Sequence, residues 1–266
     1  MRIIRFQDDG GVIHYGEPVD ESSARLLTGN IFGSCQTTGQ TVGIEKLLAP
    51  VVPTAILCIG LNYRFHAQEA GYTIPAHPVL FIKLLNALQN PGESIILPAV
   101  APGEVDYEAE LAVILKKPAK NVSPGDALDY VLGYTCANDI SARRWQKHGG
   151  GGQWCRAKTF DTFCPLGPCI VTPDEIANPN DLQIKTILNG KTMQDWTTSD
   201  MIWDVPALIS FLSEGTTLLP GTIILTGTPQ GVGYTRTPPV FLKDGDEITV
   251  EIQHIGALIN PVQDEK

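Results

Sequence analysis

The chain has 266 residues, 43% hydrophobic and 18% charged, a composition that builds a packed core and excludes a disordered chain. Its formal charge of −10, with no Lys/Arg-rich run, argues against nucleic acid and anionic membrane surfaces as partners. No apolar stretch approaches the roughly 18 residues of a membrane span, and "MRIIRFQDDGG" turns acidic too soon for a signal peptide, so a soluble cytoplasmic protein is expected.

In chain order, "RIIRF" and "GGVIHYGEPV" read as short strands around a turn, and "ESSARLLTG" as one short helix before a glycine. The segment around Pro50 and Pro53 reads as a connector. Residues 1–53 are therefore expected to form a small N-terminal domain and residues 54–266 the main one. From there strands dominate: "AILCIG", "VLFIK", "SIILP", "ELAVIL" and "DYVLGYTCAND", then "QIKTILNGKTMQ", where Asn189-Gly190 signals a hairpin. "TIILTGTP" and "DEITVEI" complete the set. Helices are predicted at "YRFHAQEAG", "SARRWQKHG" and "VPALISFLSEG", the last with Asp204 as N-cap, Pro206 in the first turn and Gly215 at its end. This β-dominated pattern favours an α+β fold or rolled sandwich over a doubly wound sheet.

The run "EVDYEAELAVIL", residues 104–115, places Asp106, Glu108 and Glu110 on one face of a strand. Like charges that close repel unless water, a cation or a proton lies between them. With Asp139, where a strand gives way to a helix, Glu108 and Glu110 offer three carboxylates. That donor set suits a hard cation such as Mg²⁺ or Mn²⁺. The plain alternative is a solvated strand face, and Asp106 is read that way.

Four other stretches carry chemistry-bearing residues, each with an ordinary structural alternative. His66 and Glu69, three apart on a helix, can form a proton-transferring pair or a surface pair. Lys158, in an apolar and aromatic setting, can stabilise an enolate or carboxylate, or snorkel to the surface. Lys83, closing "VLFIK", raises the same two options. The glycine-rich turn of "ILTGTPQGVG" can offer backbone N–H groups and the Thr226 and Thr228 hydroxyls to an oxyanion. It is not a phosphate loop, because no G-K-[ST] follows. "HGGGG", residues 148–152, resembles an esterase oxyanion loop, but no G-x-S-x-G occurs in the chain, so the glycines are read as a lid or loop near the site. Six cysteines without a C-x-x-C pair imply neither a zinc site nor a disulfide framework.

Seven stretches, taken in order, resemble the fumarylacetoacetate hydrolase family: "GLNYRFHAQE", "PVLFIK", "VDYEAELAVIL", "YVLGYTCANDISAR", "RAKTFDTFCPLGP", "NG…TSDMIWDVPALISFLS" and "ILTGTPQGVG". Length and the small N-terminal domain are similar to the acylpyruvase and oxaloacetate-decarboxylase branch. The resemblance implies a mixed β-sandwich roll, a homodimer, and one divalent cation per site (Mg²⁺ or Mn²⁺, with Ca²⁺ as a stand-in). It implies Glu108, Glu110 and Asp139 as ligands and His66 with Glu69 as the water-activating dyad. Lys158 would be the enolate-stabilising cation, and Arg143, Gln146, Lys83 and Thr228 the substrate contacts.

Where relatives carry an aspartate in "NYxxH" this chain has Phe65, and "KLLNALQN" follows Lys83, so Phe65, Leu84 and Leu85 are expected to enlarge the pocket. Thr222 stands where an aspartate is frequent. The expected activity is metal-dependent C–C cleavage next to an oxo group in an oxo acid, by hydrolysis or decarboxylation. The alternative is an isomerase or tautomerase on the same site, and the third reading is a non-catalytic ligand-binding relative.

Overall fold

The computed structural model describes residues 1–266. Strands β1 (Arg2–Gln7), β2 (Ile13–Pro18), β3 (Ser23–Gly29), β4 (Cys35–Gly43) and β5 (Lys46–Leu48) occupy the N-terminal segment. Helix α1 (Arg64–Glu69) lies between β6 (Ala55–Gly60) and β7 (Val79–Lys83). Short strands β8 (Leu88–Gln89), β9 (Ile95–Leu97) and β10 (Val105–Asp106) lead to β11 (Ala109–Leu115), β12 (Val131–Asn138) and β13 (Ser141–Ala142). A π-helical turn, Trp145–Gly149, and α2 (Cys155–Lys158) precede β14 (Cys164–Val171). The hairpin of β15 (Gln183–Leu188) and β16 (Lys191–Thr197) follows, then α3 (Val205–Ser213), β17 (Thr222–Leu225), β18 (Glu247–Ile252) and β19 (Gly256–Asp264).

The main sheet runs in the order β4-β3-β2-β1-β14-β12-β11-β17-β6-β7, and a second sheet in the order β16-β15-β18-β19-β9. Most pairs are antiparallel, but β17 runs parallel to β6. The architecture is the expected β-dominated α+β fold, a mixed roll. Residues 1–53 join it edge-on: β1 pairs antiparallel with β14, Arg2 opposite Val171. No helix is long and apolar enough to cross a membrane.

The stretch expected as a helix at "ESSARLLTG" is strand β3, paired on both sides by β2 and β4. Its helix-compatible Ala, Arg and Leu residues yield to tertiary pairing, which routinely overrides weak propensity. "SARRWQKHG" also divides: Ser141 and Ala142 pair with Asp106 and Val105, and the coil starts only at Arg143, continuing through Trp145–Gly149. Helix α3 matches its signals, with Asp204 accepting from the Ala207 N–H at 2.9 Å and Gly215 at φ 67°.

The strand at the heart of the fold is β11. All seven of its residues are buried, Leu111, Val113 and Leu115 in one hydrophobic cluster and Ala112 and Ile114 in another on the opposite face. Each large aliphatic side chain buried this way contributes about 1.5–3 kcal/mol. A strand packed on both faces has no solvated side. Glu110 therefore sits in the interior, not on the wet face that alternation allowed.

Candidate active site

The acidic stretch does not form one continuous strand. It breaks between β10 and β11, and the Glu108 N–H at the break donates to the Asn138 side chain at 3.0 Å. The Asp139 N–H donates to the Glu108 carbonyl at 2.8 Å. Pairing of Ala109 with Asn138 brings the start of β11 to the end of β12. Glu108, Glu110 and Asp139 are thereby gathered with ligand oxygens within 4.8 Å of one another, all three buried.

Three cations are folded around them. The Lys158 ammonium, at the end of α2, donates to Glu108 Oε2 and Asp139 Oδ2, each at 2.7 Å. Arg143 bonds Asp106 Oδ2 through Nε at 2.8 Å, while its Nη1 lies 2.7 Å from Glu108 Oε1 and 2.8 Å from Gln146 Oε1. The Lys83 Nζ is 2.6 Å from Asp139 Oδ1 and donates to the carbonyls of Ile140, Lys158 and Phe163. Counting Asp106, four carboxylates face three cations. Glu110 is the one left without an ion pair; its Oε2 accepts only the Gly227 N–H at 2.7 Å.

The proton affinities follow from that imbalance. Burial, then the charges of Asp139 and Glu108, push the Glu110 carboxyl well above its ordinary range. Burial opposes ionisation of Glu108 too, yet Lys158 and Arg143 overcome it and hold that carboxyl well below its usual value. Burial likewise works against the Lys158 ammonium, but Asp139 and Glu108 raise its pKa. A divalent cation fits this donor set: three buried oxygen ligands, one of them a carboxylate that the protein's own cations do not neutralise.

The cavity above these groups has a volume of about 310 Å³, the size of a small-molecule site. Of the residues singled out from the sequence, His66, Glu108, Glu110, Asp139, Arg143, Gln146, Lys158 and Thr228 line it, together with His148 and Gly152 of the glycine run. The His66 Nδ1 lies 3.5 Å from Glu69 Oε2 across one turn of α1, and Glu69 also accepts the Gly231 N–H. Burial alone would raise the Glu69 carboxyl; the neighbouring His66 ring and the Gly231 N–H bring it below its ordinary value. Helix α1, only six residues long, is held by the Arg64 guanidinium on the Asp200 and Met201 carbonyls.

Several expectations need correction. Lys83 does not reach the cavity: its ammonium is enclosed by three carbonyls and Asp139, and it positions Asp139 from behind. Asp106, read as solvated, is fully buried and grips Arg143 while accepting the Gly233 and Tyr234 N–H groups. The glycine-rich turn turns its N–H groups toward the protein's own carboxylates, Gly227 to Glu110, Gly231 to Glu69 and Gly233 to Asp106. Phe65 packs edge-on against Trp196, and Leu84 and Leu85 are exposed outside, so none of the three enlarges the cavity.

Tyr72, Lys147, Trp154 and Tyr234 line the cavity without having been singled out from the sequence. Tyr234 lies beneath both Arg143 and Lys147, 4.3 and 4.7 Å from its ring centre. Single aromatic and basic residues in loops give no periodic signal. Gly60 is needed for close approach: a Cβ there would stand 2.2 Å from Trp154 Cζ3.

A domain model described as fumarylacetoacetate (FAA) hydrolase C-terminal matches residues 55–263, and one described as Rv2993c-like, N-terminal, matches residues 1–50. The chain belongs to the fumarylacetoacetate hydrolase family. It is 51% identical over 82% of its length to a fumarylacetoacetate hydrolase domain-containing protein 2 homolog of Dictyostelium discoideum, covering 74% of that protein. The mitochondrial oxaloacetate tautomerase FAHD2A of Bos taurus is 48% identical over 81% of this chain and 68% of its own length. Among solved structures, the 2-hydroxyhepta-2,4-diene-1,7-dioate isomerase from Mycobacterium marinum superposes with a TM-score of 0.85 at 40% identity, covering 100% of this chain and 99% of that one.

Proposed function

We propose that this chain is a divalent-metal-dependent keto–enol tautomerase of a small 2-oxo acid of the oxaloacetate kind. The observation that carries the reading is the pairing, in one cavity, of an under-neutralised carboxylate trio with a histidine backed by a carboxylate. The bovine relative's tautomerase activity supports it. C–C cleavage, placed first from the sequence, becomes the second reading, favoured by the capacity of the same dyad to activate water.

Glu108, Glu110 and Asp139 would hold Mg²⁺ or Mn²⁺, which when bound supplies Lewis-acid polarisation of a chelating 2-oxo acid. The chain's own groups do the rest. Glu69, ionised, faces Nδ1 of His66 and favours its protonation there, leaving Nε2 as the base for the proton on carbon 3 of the substrate. Lys158 keeps a fixed positive charge beside Glu108 and Asp139, where enolate charge develops. Delivering that proton from His66 to the oxygen on carbon 2 gives the enol, and the reverse transfer to carbon 3 restores the keto acid, with no water consumed and no C–C bond broken. A second copy of the chain, as the resemblance implies, is part of this proposal and is read by sedimentation.

The test follows oxaloacetate by proton NMR and enol absorbance with chelator-stripped protein, before and after Mn²⁺ is restored. Metal-dependent enol–keto exchange without release of CO₂ is expected. Pyruvate formation as the faster reaction would replace this reading with cleavage.

A further inference from the structure

Thr228 lines the cavity and is 4% exposed, and its hydroxyl oxygen accepts a hydrogen bond from Gln194 Nε2 at 2.8 Å. Gln194 belongs to β16 in the second sheet, is 1% exposed and does not line the cavity. Its amide cannot be turned around. On one side the Ala109 backbone N–H donates to Oε1 at 3.0 Å, which only an oxygen can accept. On the other, the nitrogen donates to the Pro229 carbonyl at 2.8 Å, which only an N–H can supply. The Thr186 hydroxyl adds a second donor to Oε1 at 2.6 Å.

With the amide orientation set by backbone groups at both ends, the polarity at Thr228 is set as well. Its oxygen must accept from Gln194, so its own proton is free, and that proton has no acceptor within the protein. We propose that Gln194 is a positioning residue that engages a lone pair of Thr228 and so turns its hydroxyl proton toward the oxyanion of the bound 2-oxo acid. This rests on the reading of the cavity as a 2-oxo acid site, but not on which reaction follows. A threonine free to rotate could accept as readily as donate. One held by Gln194 presents its proton to the cavity, and that donor bond strengthens as the facing oxygen gains negative charge, as it does in an enolising substrate.

The test compares wild type with Gln194→Glu, Gln194→Met and Thr228→Val. Binding of Mn²⁺, and then of oxalate as an unreactive enolate analogue, is measured by calorimetry, with oxaloacetate turnover alongside. Gln194→Glu places an acceptor opposite Thr228 and draws its proton away from the cavity. Oxalate affinity should fall about 10-fold or more, as for a lost hydrogen bond to a charged group, while Mn²⁺ affinity stays within about 2-fold. Turnover should lose roughly 100-fold in kcat with a smaller change in KM. Thr228→Val should match these losses, and adding Gln194→Glu to it should cost nothing more. Gln194→Met, which removes the donor without adding an acceptor, should lose less than Gln194→Glu.

Equal oxalate affinity in wild type and Gln194→Glu, or losses that multiply in the double variant, would overturn the inference. Should Gln194→Glu not fold, undiminished oxalate binding by Thr228→Val would overturn it instead. Wild-type protein that binds oxalate with the expected variant penalties, yet does not interconvert oxaloacetate, would remove the tautomerase reading and leave this inference standing.

Discussion

The floor and the rim of the cavity are built on opposite terms. On the floor, Asp106, Glu108, Asp139, Lys83, Lys158 and Arg143 are interlocked at 2.6–2.8 Å and almost wholly buried. At the rim, Tyr72, Lys147 and His148 are exposed, and the His66–Glu69 contact is a looser 3.5 Å. Ion pairs taken out of water gain most when every member is satisfied, and a lone survivor is costly. The floor is therefore an all-or-nothing device that fixes charge in place. The rim's groups are held by fewer and longer contacts, so substitutions there should cost the fold less.

That contrast is most exposed to Glu108→Ala, which strands Lys158 and Arg143 on the floor. We expect a loss of roughly 3–5 kcal/mol in unfolding free energy, together with all Mn²⁺ binding and activity, read by denaturant titration and calorimetry. Glu110→Gln separates the floor's two duties. It keeps an acceptor for the Gly227 N–H and removes the one carboxylate without a cation, so the metal-free protein should unfold no earlier than wild type while Mn²⁺ binding is lost. A clear fall in Tm for that variant would contradict the charge account given for Glu110.

At the rim, His66→Ala should lower kcat by about 10²–10⁴ and leave Mn²⁺ affinity unchanged. Glu69 provides the pH signature. Its carboxyl lies below its ordinary 4.5 when folded, so the stability it contributes is present above that value and disappears as pH falls through the folded pKa. The Tm difference between wild type and Glu69→Gln should therefore be steady near neutrality and shrink below pH 4.5. The smallest effect is expected for Lys147→Ala: a few-fold rise in KM for an anionic substrate, reduced by added salt, with no change in Tm.

The acidic triad was legible because two of its members share a strand parity and the third lies at a strand end. The dyad was legible from helical spacing. What alternation cannot reveal is how many faces of a strand are covered, and for that reason Asp106 was assigned to water and Glu110's burial was not foreseen. Lys83 shows the converse limit. A basic residue closing an apolar strand looks like a pocket cation, and only the convergence of the Ile140, Lys158 and Phe163 carbonyls shows that it is enclosed. Gln194 was invisible for a related reason: its partners come from Ala109, Thr186 and the 228–230 turn, far apart in the chain and joined only by the packing of two sheets.

Strand β7 ends the main sheet, and its alternation divides its work. Leu80 and Ile82 face outward and are exposed, while Phe81 and Lys83 face inward and are buried. The inner row ends on Asp139. One five-residue strand thus meets solvent with one row and holds a proposed metal ligand with the other, so the sheet edge and the charge cluster are set by the same register.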